Sequence, residues 1–145
     1  MNSTGRSGSI FFMSNDRRYF LKTLPEEEEQ LLRRIIKNYY YHITDNVNTL
    51  LTRFYGLYRI KPPNQSSWIT IIVMENLFAP FSLPIHEIYD LKGSTVNRHV
   101  DIKHSKDKAT IAMKDNNFRH LLQFGAKAKS IFLEQVERDI RFAFY

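Results

Sequence analysis

Between residues 18 and 24 the chain alternates Phe20, Lys22 and Leu24 with Tyr19, Leu21 and Thr23, a period of two that predicts a strand. The apolar run Ile10-Phe11-Phe12-Met13 precedes it, and Ser14-Asn15-Asp16 between them predicts a hairpin turn. The period then changes. Leu31, Ile35 and Tyr39 form one i, i+4 row and Leu32, Ile36 and Tyr40 the next, which predicts a helix with a wide apolar face over about four turns. Thr23-Leu24-Pro25-Glu26 has capping-box spacing, and Glu26 to Glu29 load the positive end of the helix dipole. Glu29 and Arg33 are expected to form an exposed pair, and Thr44 to Asn48 a loop. Arg53 to Ile60 alternates again and predicts a third strand, stopped by Lys61-Pro62-Pro63. Trp68 to Met74, apolar but for Thr70, predicts a central strand buried on both faces. Residues 97–116 are polar and mixed in charge, the pattern of a mobile surface loop. Lys129 to Phe144 predicts a final helix with Leu133, Val136, Ile140 and Phe144 as its apolar stripe and Glu134–Arg138 as a surface pair.

Composition narrows the class. With 145 residues the chain is long enough for one domain with a core, and 43% apolar and 14% aromatic content point to a folded protein. The absence of cysteine excludes disulfides, zinc–thiolate sites and thiol catalysis, and fits a cytosolic protein. A net charge of +6 favours an anionic partner: nucleic acid, nucleotide or acidic membrane surface. Nucleic acid is disfavoured, because Phe and Tyr fall inside periodic segments as core residues do and form no surface platform. No apolar run approaches the ~20 residues of a membrane-spanning helix. Met1-Asn2-Ser3-Thr4-Gly5 reads as neither a signal peptide nor a myristoylation start. The histidines of the polar segment lack the carboxylate partners of a metal site.

Asp90-Leu91-Lys92-Gly93-Ser94-Thr95 is the densest candidate for chemistry. Its ammonium, flexible glycine and hydroxyls suit a phosphate, although the same residues make an ordinary exposed turn. It is not a Walker loop, since the lysine precedes the glycine. Thr4 to Ser9 is a Gly/Ser loop that feeds directly into a strand and could fold over a phosphate with backbone N–H groups. Lys22 shares a strand face with Phe20 and Leu24: it is a snorkelling edge lysine or a nucleotide-phosphate lysine, and the preceding Gly-rich hairpin favours the second.

The hexapeptide at 90–95, preceded by Ile71-Ile72-Val73-Met74-Glu75-Asn76-Leu77-Phe78, resembles the phosphatidylinositol phosphate kinase family. Four further stretches are similar to it in order: Ser7-Gly8-Ser9 with Phe11-Phe12, Phe20 to Leu24, Asn48 to Tyr58, and Met113-Lys114-Asp115-Asn116-Asn117-Phe118. The resemblance runs from about Ser7 to Phe142. It implies an α+β fold: an antiparallel sheet with a packed helix, as in a kinase N-lobe, plus the start of a second lobe. About 5–78 would be the N-lobe and hinge, and 79–145 the motif, basic loop and terminal helix. The implied reaction moves the ATP γ-phosphate to an inositol hydroxyl of a phosphatidylinositol phosphate, of the phosphatidylinositol-4-phosphate 5-kinase type. Ser7, Gly8, Ser9, Lys22, Glu28, Met74, Glu75, Asn76 and Leu77 would bind nucleotide, with Glu28 the helix glutamate opposite Lys22. Lys92 and Asp90 would be catalytic, and Gly93, Ser94, Thr95 and Arg98 would meet phosphate or lipid headgroup. ATP implies Mg²⁺, yet the family's Met-Asp-Tyr-Ser-Leu-Leu stretch and later Ile-Asp pair do not occur here, so no metal ligand is identified. The expectation is therefore the N-terminal part of a catalytic domain, inactive alone; the alternative is a non-catalytic regulatory module that binds acidic lipid. Expected partners are the phosphoinositide, an anionic membrane surface met by basic residues 98–108 at the cytosolic face, and a second copy of the full-length protein, but no nucleic acid.

Overall fold

The computed structural model describes residues 3–4, 9–63, 66–79, 84–101 and 111–143. The chain divides into two units, residues 1–80 with 125–145, and residues 81–124.

The first unit is a five-stranded antiparallel sheet with two helices. Its strands are β1 (Ser3–Thr4), β2 (Ile10–Met13), β3 (Tyr19–Leu24), β4 (Phe54–Ile60) and β5 (Ile69–Glu75), in the spatial order β1-β2-β3-β5-β4. Ser14 and Asp16 close the β2–β3 hairpin: Ser14 Oγ lies 2.6 Å from Asp16 Oδ1, and that oxygen accepts from Arg18 N–H at 3.1 Å. Arg17 takes a left-handed φ of 60° there, local strain that the turn's hydrogen bonds offset. The helix α1 (Glu26–Asp45) follows β3. The capping-box spacing at Thr23 does not cap it. Pro25 holds the N-cap position, and Thr23, still in the strand, accepts from Ile10 N–H at 2.9 Å with its hydroxyl. The helix also runs two residues into the expected 44–48 loop.

Long-range contacts decide which side of each helix packs. On α1 the row Leu32, Ile35, Tyr39 and His42 turns inward, whereas Leu31, Ile36 and Tyr40 are exposed, so the apolar face is narrower than the sequence suggests. Tyr39 stacks on Phe54 at 4.8 Å, and its hydroxyl donates to Thr52 O at 2.8 Å and accepts from Phe54 N–H at 2.9 Å. Glu29 is not simply an exposed partner of Arg33, because it also accepts from Thr70 of β5 and ties the start of α1 to the sheet. β5 is the strand between β3 and β4 but is not buried on both faces: Thr70 and Ile72 are buried and its other residues half-buried. One helix covers one face of an antiparallel sheet; burial on both needs a layer on each side.

The expected division at residue 79 would give the final helix to the second part. Instead α2 (Ala126–Ala143) belongs to the first unit. Two residues of its predicted stripe point outward, with Leu133 52% and Ile140 50% exposed, whereas Val136 is half-buried and Phe144 lies outside the described residues. The inward row is Phe132, Gln135, Val136, Asp139 and Phe142, with Gln135 and Asp139 buried. Asp139 explains the rotation. One of its oxygens meets His42 Nε2 at 2.7 Å and accepts from Thr49 Oγ1 at 2.7 Å and Gln135 Nε2 at 2.9 Å; the other accepts from Leu50 N–H at 2.8 Å. A buried carboxylate with four partners fixes the helix face more strongly than an apolar stripe with nothing to cover it.

The second unit has a two-stranded parallel sheet, β6 (Ile88–Asp90) with β7 (Ala112–Lys114), followed by a 3₁₀ turn over Asp115–Asn117. Met113 is 2% exposed and Tyr89, its register partner, stands edge-on to Phe118 at 5.0 Å. Residues 112–117 thus form a strand and a 3₁₀ turn where the sequence suggests a loop; 97–101 carry no regular element, and 102–110 lie outside the described residues.

Candidate functional site

Alternation in β3 puts Lys22 on the face toward α1, and α1 brings Glu28 to it. Lys22 Nζ lies 2.5 Å from Glu28 Oε2 and 5.9 Å from the centre of the Phe11 ring on the neighbouring strand. The pair sits at a cavity of about 350 Å³ whose other walls are Leu24, Leu31, Leu32, Ile35, Phe54, Ile72 and Met74. One cation with one carboxylate, on an otherwise apolar surface, is an arrangement that can hold an anionic group at one end and an apolar ring beside it. Ser9 is described and buried at 2% exposure; Ser7 and Gly8 lie outside the described residues.

The segment after β5 is anchored by Asn76. Its N–H donates to Arg18 O at 3.0 Å, its Nδ2 to Arg17 O at 2.6 Å, and its Oδ1 accepts from Phe78 N–H at 2.9 Å. The Asn76 side chain is therefore committed to the β2–β3 turn and to its own turn. Glu75 N–H donates to Arg53 O at 2.8 Å, Met74 lines the cavity, and Leu77 is exposed.

In the second unit the hexapeptide leaves β6 at Asp90. Lys92 Nζ is 2.9 Å from Asp90 Oδ1, and Gly93 has φ +67°, the left-handed conformation for which glycine has no Cβ penalty. A Cβ at Gly93 would meet nothing within 4 Å, so the backbone angle and not crowding calls for glycine. Arg98, expected to meet a phosphate, is drawn inward: Nε lies 2.7 Å from Asp115 Oδ2, and Nη2 lies 3.3 Å from Asp90 Oδ2 and donates to the Asp90 carbonyl. Ser94 Oγ accepts from Val96 N–H at 3.3 Å, and Thr95 O accepts from Asn116 Nδ2 at 2.9 Å.

These contacts shape the protonation states. Asp90 is held below the usual carboxylate range, first by Lys92 and then by Arg98. Asp115 is held well below that range, with Arg98 the largest cause and the Lys92 and Gly93 N–H groups adding to it. Tyr89 donates to Glu87 at 2.7 Å, which pushes its hydroxyl up to about 12.

Asp115 is the residue that sequence reasoning missed. It lies within the matched stretch 113–118, but no period or spacing marks a carboxylate that reaches 22 and 23 residues back to two backbone amides. Among the described residues no group of three or more His, Cys, Asp or Glu could hold a metal ion. Among them, too, no helix is long and apolar enough to cross a membrane.

Residues 1–143 match the protein family described as phosphatidylinositol-4-phosphate 5-kinase. A probable phosphatidylinositol phosphate kinase of Dictyostelium discoideum is 42% identical over 94% of this chain and 19% of its own length. Phosphatidylinositol 4-phosphate 5-kinase its3 of Schizosaccharomyces pombe is 43% identical over 97% of this chain and 19% of its length. Phosphatidylinositol 4-phosphate 5-kinase 9 of Arabidopsis thaliana is 38% identical over 98% of this chain and 17% of its length. The chain thus spans about a fifth of the length of these curated relatives.

Proposed function

The chain belongs to the phosphatidylinositol-4-phosphate 5-kinase family, and from that premise we propose that it supplies the nucleotide-phosphate lysine and the phosphate loop of a lipid kinase. The substrates are ATP and a phosphatidylinositol phosphate, and the reaction is transfer of the γ-phosphoryl group to a ring hydroxyl.

The observation that carries the reading is the Lys22–Glu28 pair lining an otherwise apolar cavity. Phosphoryl transfer asks little covalent chemistry of a protein; it asks for positive charge fixed in place before the reaction. Glu28 fixes the Lys22 ammonium, and the fixed ammonium neutralises phosphate oxygens without reorganisation. Leu24, Phe54, Ile72 and Met74 exclude water beside it and suit the flat face of a base. Of Met74, Glu75 and Leu77, the Leu77 backbone would meet the base edge, since Met74 is paired within the sheet and the Glu75 N–H is taken by Arg53 O, while Asn76 holds that strand end in place. Of the 90–95 loop, the Lys92 ammonium and the Ser94 and Thr95 hydroxyls serve the transferred phosphate or the headgroup. The reading sets the full-length protein at an anionic membrane surface on the cytosolic side. Arg98 takes no part in that attraction, because it is paired inward.

The test is turnover of radiolabelled ATP on phosphatidylinositol-4-phosphate vesicles by the full-length protein. Robust lipid product is expected, and Lys22→Ala should lower turnover at least about a hundredfold, the scale of losing one preorganised charge-stabilising group. No lipid product from the full-length protein, or near-normal turnover by the variant, would sink the reading.

A further inference from the structure

The loop from Asp90 to Val100 takes its shape from four consecutive residues further along the chain. Lys114 Nζ donates to Asn97 O at 3.4 Å. Asn116 donates to Arg98 O at 2.9 Å with its N–H and to Thr95 O at 2.9 Å with Nδ2. Asn117 closes a ring with Val100, donating to its carbonyl and accepting from its N–H, both at 2.9 Å. Asp115 goes deepest. Its Oδ1 accepts from the N–H groups of both Lys92, at 2.9 Å, and Gly93, at 2.8 Å, while Oδ2 faces Arg98.

Two successive N–H groups converging on one oxygen, the second from the left-handed Gly93, form a concave anion seat. In this molecule the seat is filled from within. We propose that Asp115 is the positioning residue of the Asp90–Thr95 loop: its carboxylate occupies the seat made by Lys92 N–H, Gly93 N–H and the Arg98 guanidinium, and so fixes where the Lys92 ammonium points. The loop's backbone amides at 92 and 93 are consequently not donors to a bound phosphate. What remains for a substrate is the Lys92 ammonium, oriented by Asp90, and the two hydroxyls.

The chemistry requires a carboxylate. Asparagine has one acceptor and one donor end. With its oxygen toward the two amides, its NH₂ faces the Arg98 guanidinium; flipped, its NH₂ faces the two amides. One donor-to-donor clash results in either orientation. The inference deepens the kinase reading and rests on it for what the loop does, but the seat itself stands on geometry alone.

Hydrogen–deuterium exchange of the full-length protein, read on peptides spanning 91–96, tests the seat; turnover on the same vesicles tests its use. Asp115→Asn should speed exchange there at least about tenfold, the scale of losing hydrogen bonds to a charged group, and leave peptides of β3 and β5 unchanged. Turnover should fall at least about tenfold with KM for ATP within about twofold, as expected when orientation and not ground-state binding is lost. Where β3 and β5 also loosen, Arg98→Lys, which keeps the charge but loses the two-pronged contact, is expected to give the same local pattern. Unchanged exchange at 91–96 overturns the proposal, and so does faster exchange with normal turnover. A wild-type protein without turnover sinks the kinase reading, and exchange at 91–96 still decides for or against Asp115.

Discussion

Lys92 is 62% exposed at its side chain, and the carboxylate it meets, Asp90, is itself half in solvent. An exposed pair of this kind contributes about 0–1 kcal/mol to folding. Lys92→Ala should therefore keep the melting temperature of the full-length protein within a few degrees. Its turnover on lipid should fall at least about tenfold if the ammonium serves phosphate. Equal turnover, or a large drop in melting temperature, would contradict the assignment. Residues of this type differ in how legible they are. The meeting of Lys22 with Glu28 is readable only in part: strand alternation gives the lysine's face, and the choice of Glu28 among the four glutamates of the first turn comes from the family resemblance. Asp115 and Arg98 are not readable, because their partners are chosen by tertiary proximity: a buried arginine in a polar stretch has the same sequence signature as a solvated one. Asn76 likewise looks like any residue following a strand, yet it fastens a turn 59 residues earlier.

At the scale of elements, period and punctuation give strands β3, β4 and β5 and the existence of both helices within a residue or a few of their observed bounds. They do not give which helix face packs. On α2 the apolar stripe is the stronger sequence signal, and the polar row wins because Asp139 finds His42, Thr49, Gln135 and the Leu50 N–H. Burial alone would push the Asp139 carboxyl up, and these four hydrogen bonds outweigh it and hold it below its usual 3.8. A folded value below the unfolded one means the unfolded chain binds the proton first as pH falls. The contribution is thus complete above about pH 4 and is lost as pH drops through the lower folded value. Exchange protection of peptides spanning 42–51 in the full-length protein, corrected for intrinsic rates, should fall about tenfold in Asp139→Asn at pH 7. Wild type and variant should converge as pH falls through the lowered folded value. A gap that widens toward acid would refute this account.

The chain carries an antiparallel sheet, two helices and the Asp90–Thr95 loop, and four of its described acids are already paired. Glu28, Asp90, Asp115 and Asp139 each have a cationic or histidine partner, and among the described residues no cluster fits a metal. Phosphoryl transfer needs divalent cations to neutralise charge between the β- and γ-phosphates. The 145 residues by themselves are therefore expected to yield no labelled lipid in the assay that the full-length protein is expected to pass, and Mg²⁺-dependent product from them would show that the catalytic acids are among them.

The Asp139 latch has a consequence for biosynthesis. It joins Leu50 to a residue 89 positions later, and the whole second unit, residues 81–124, is made in between. At ribosomal rates of about 5–20 residues per second, the loop after α1 waits roughly 4–18 s before its carboxylate partner exists. During that interval the nascent sheet and α1 hold His42, Thr49 and the inward side of Tyr39 without α2, a half-built surface for a chaperone to cover. Substitutions at Asp139 should then lower the yield from the ribosome as well as exchange protection in the finished protein.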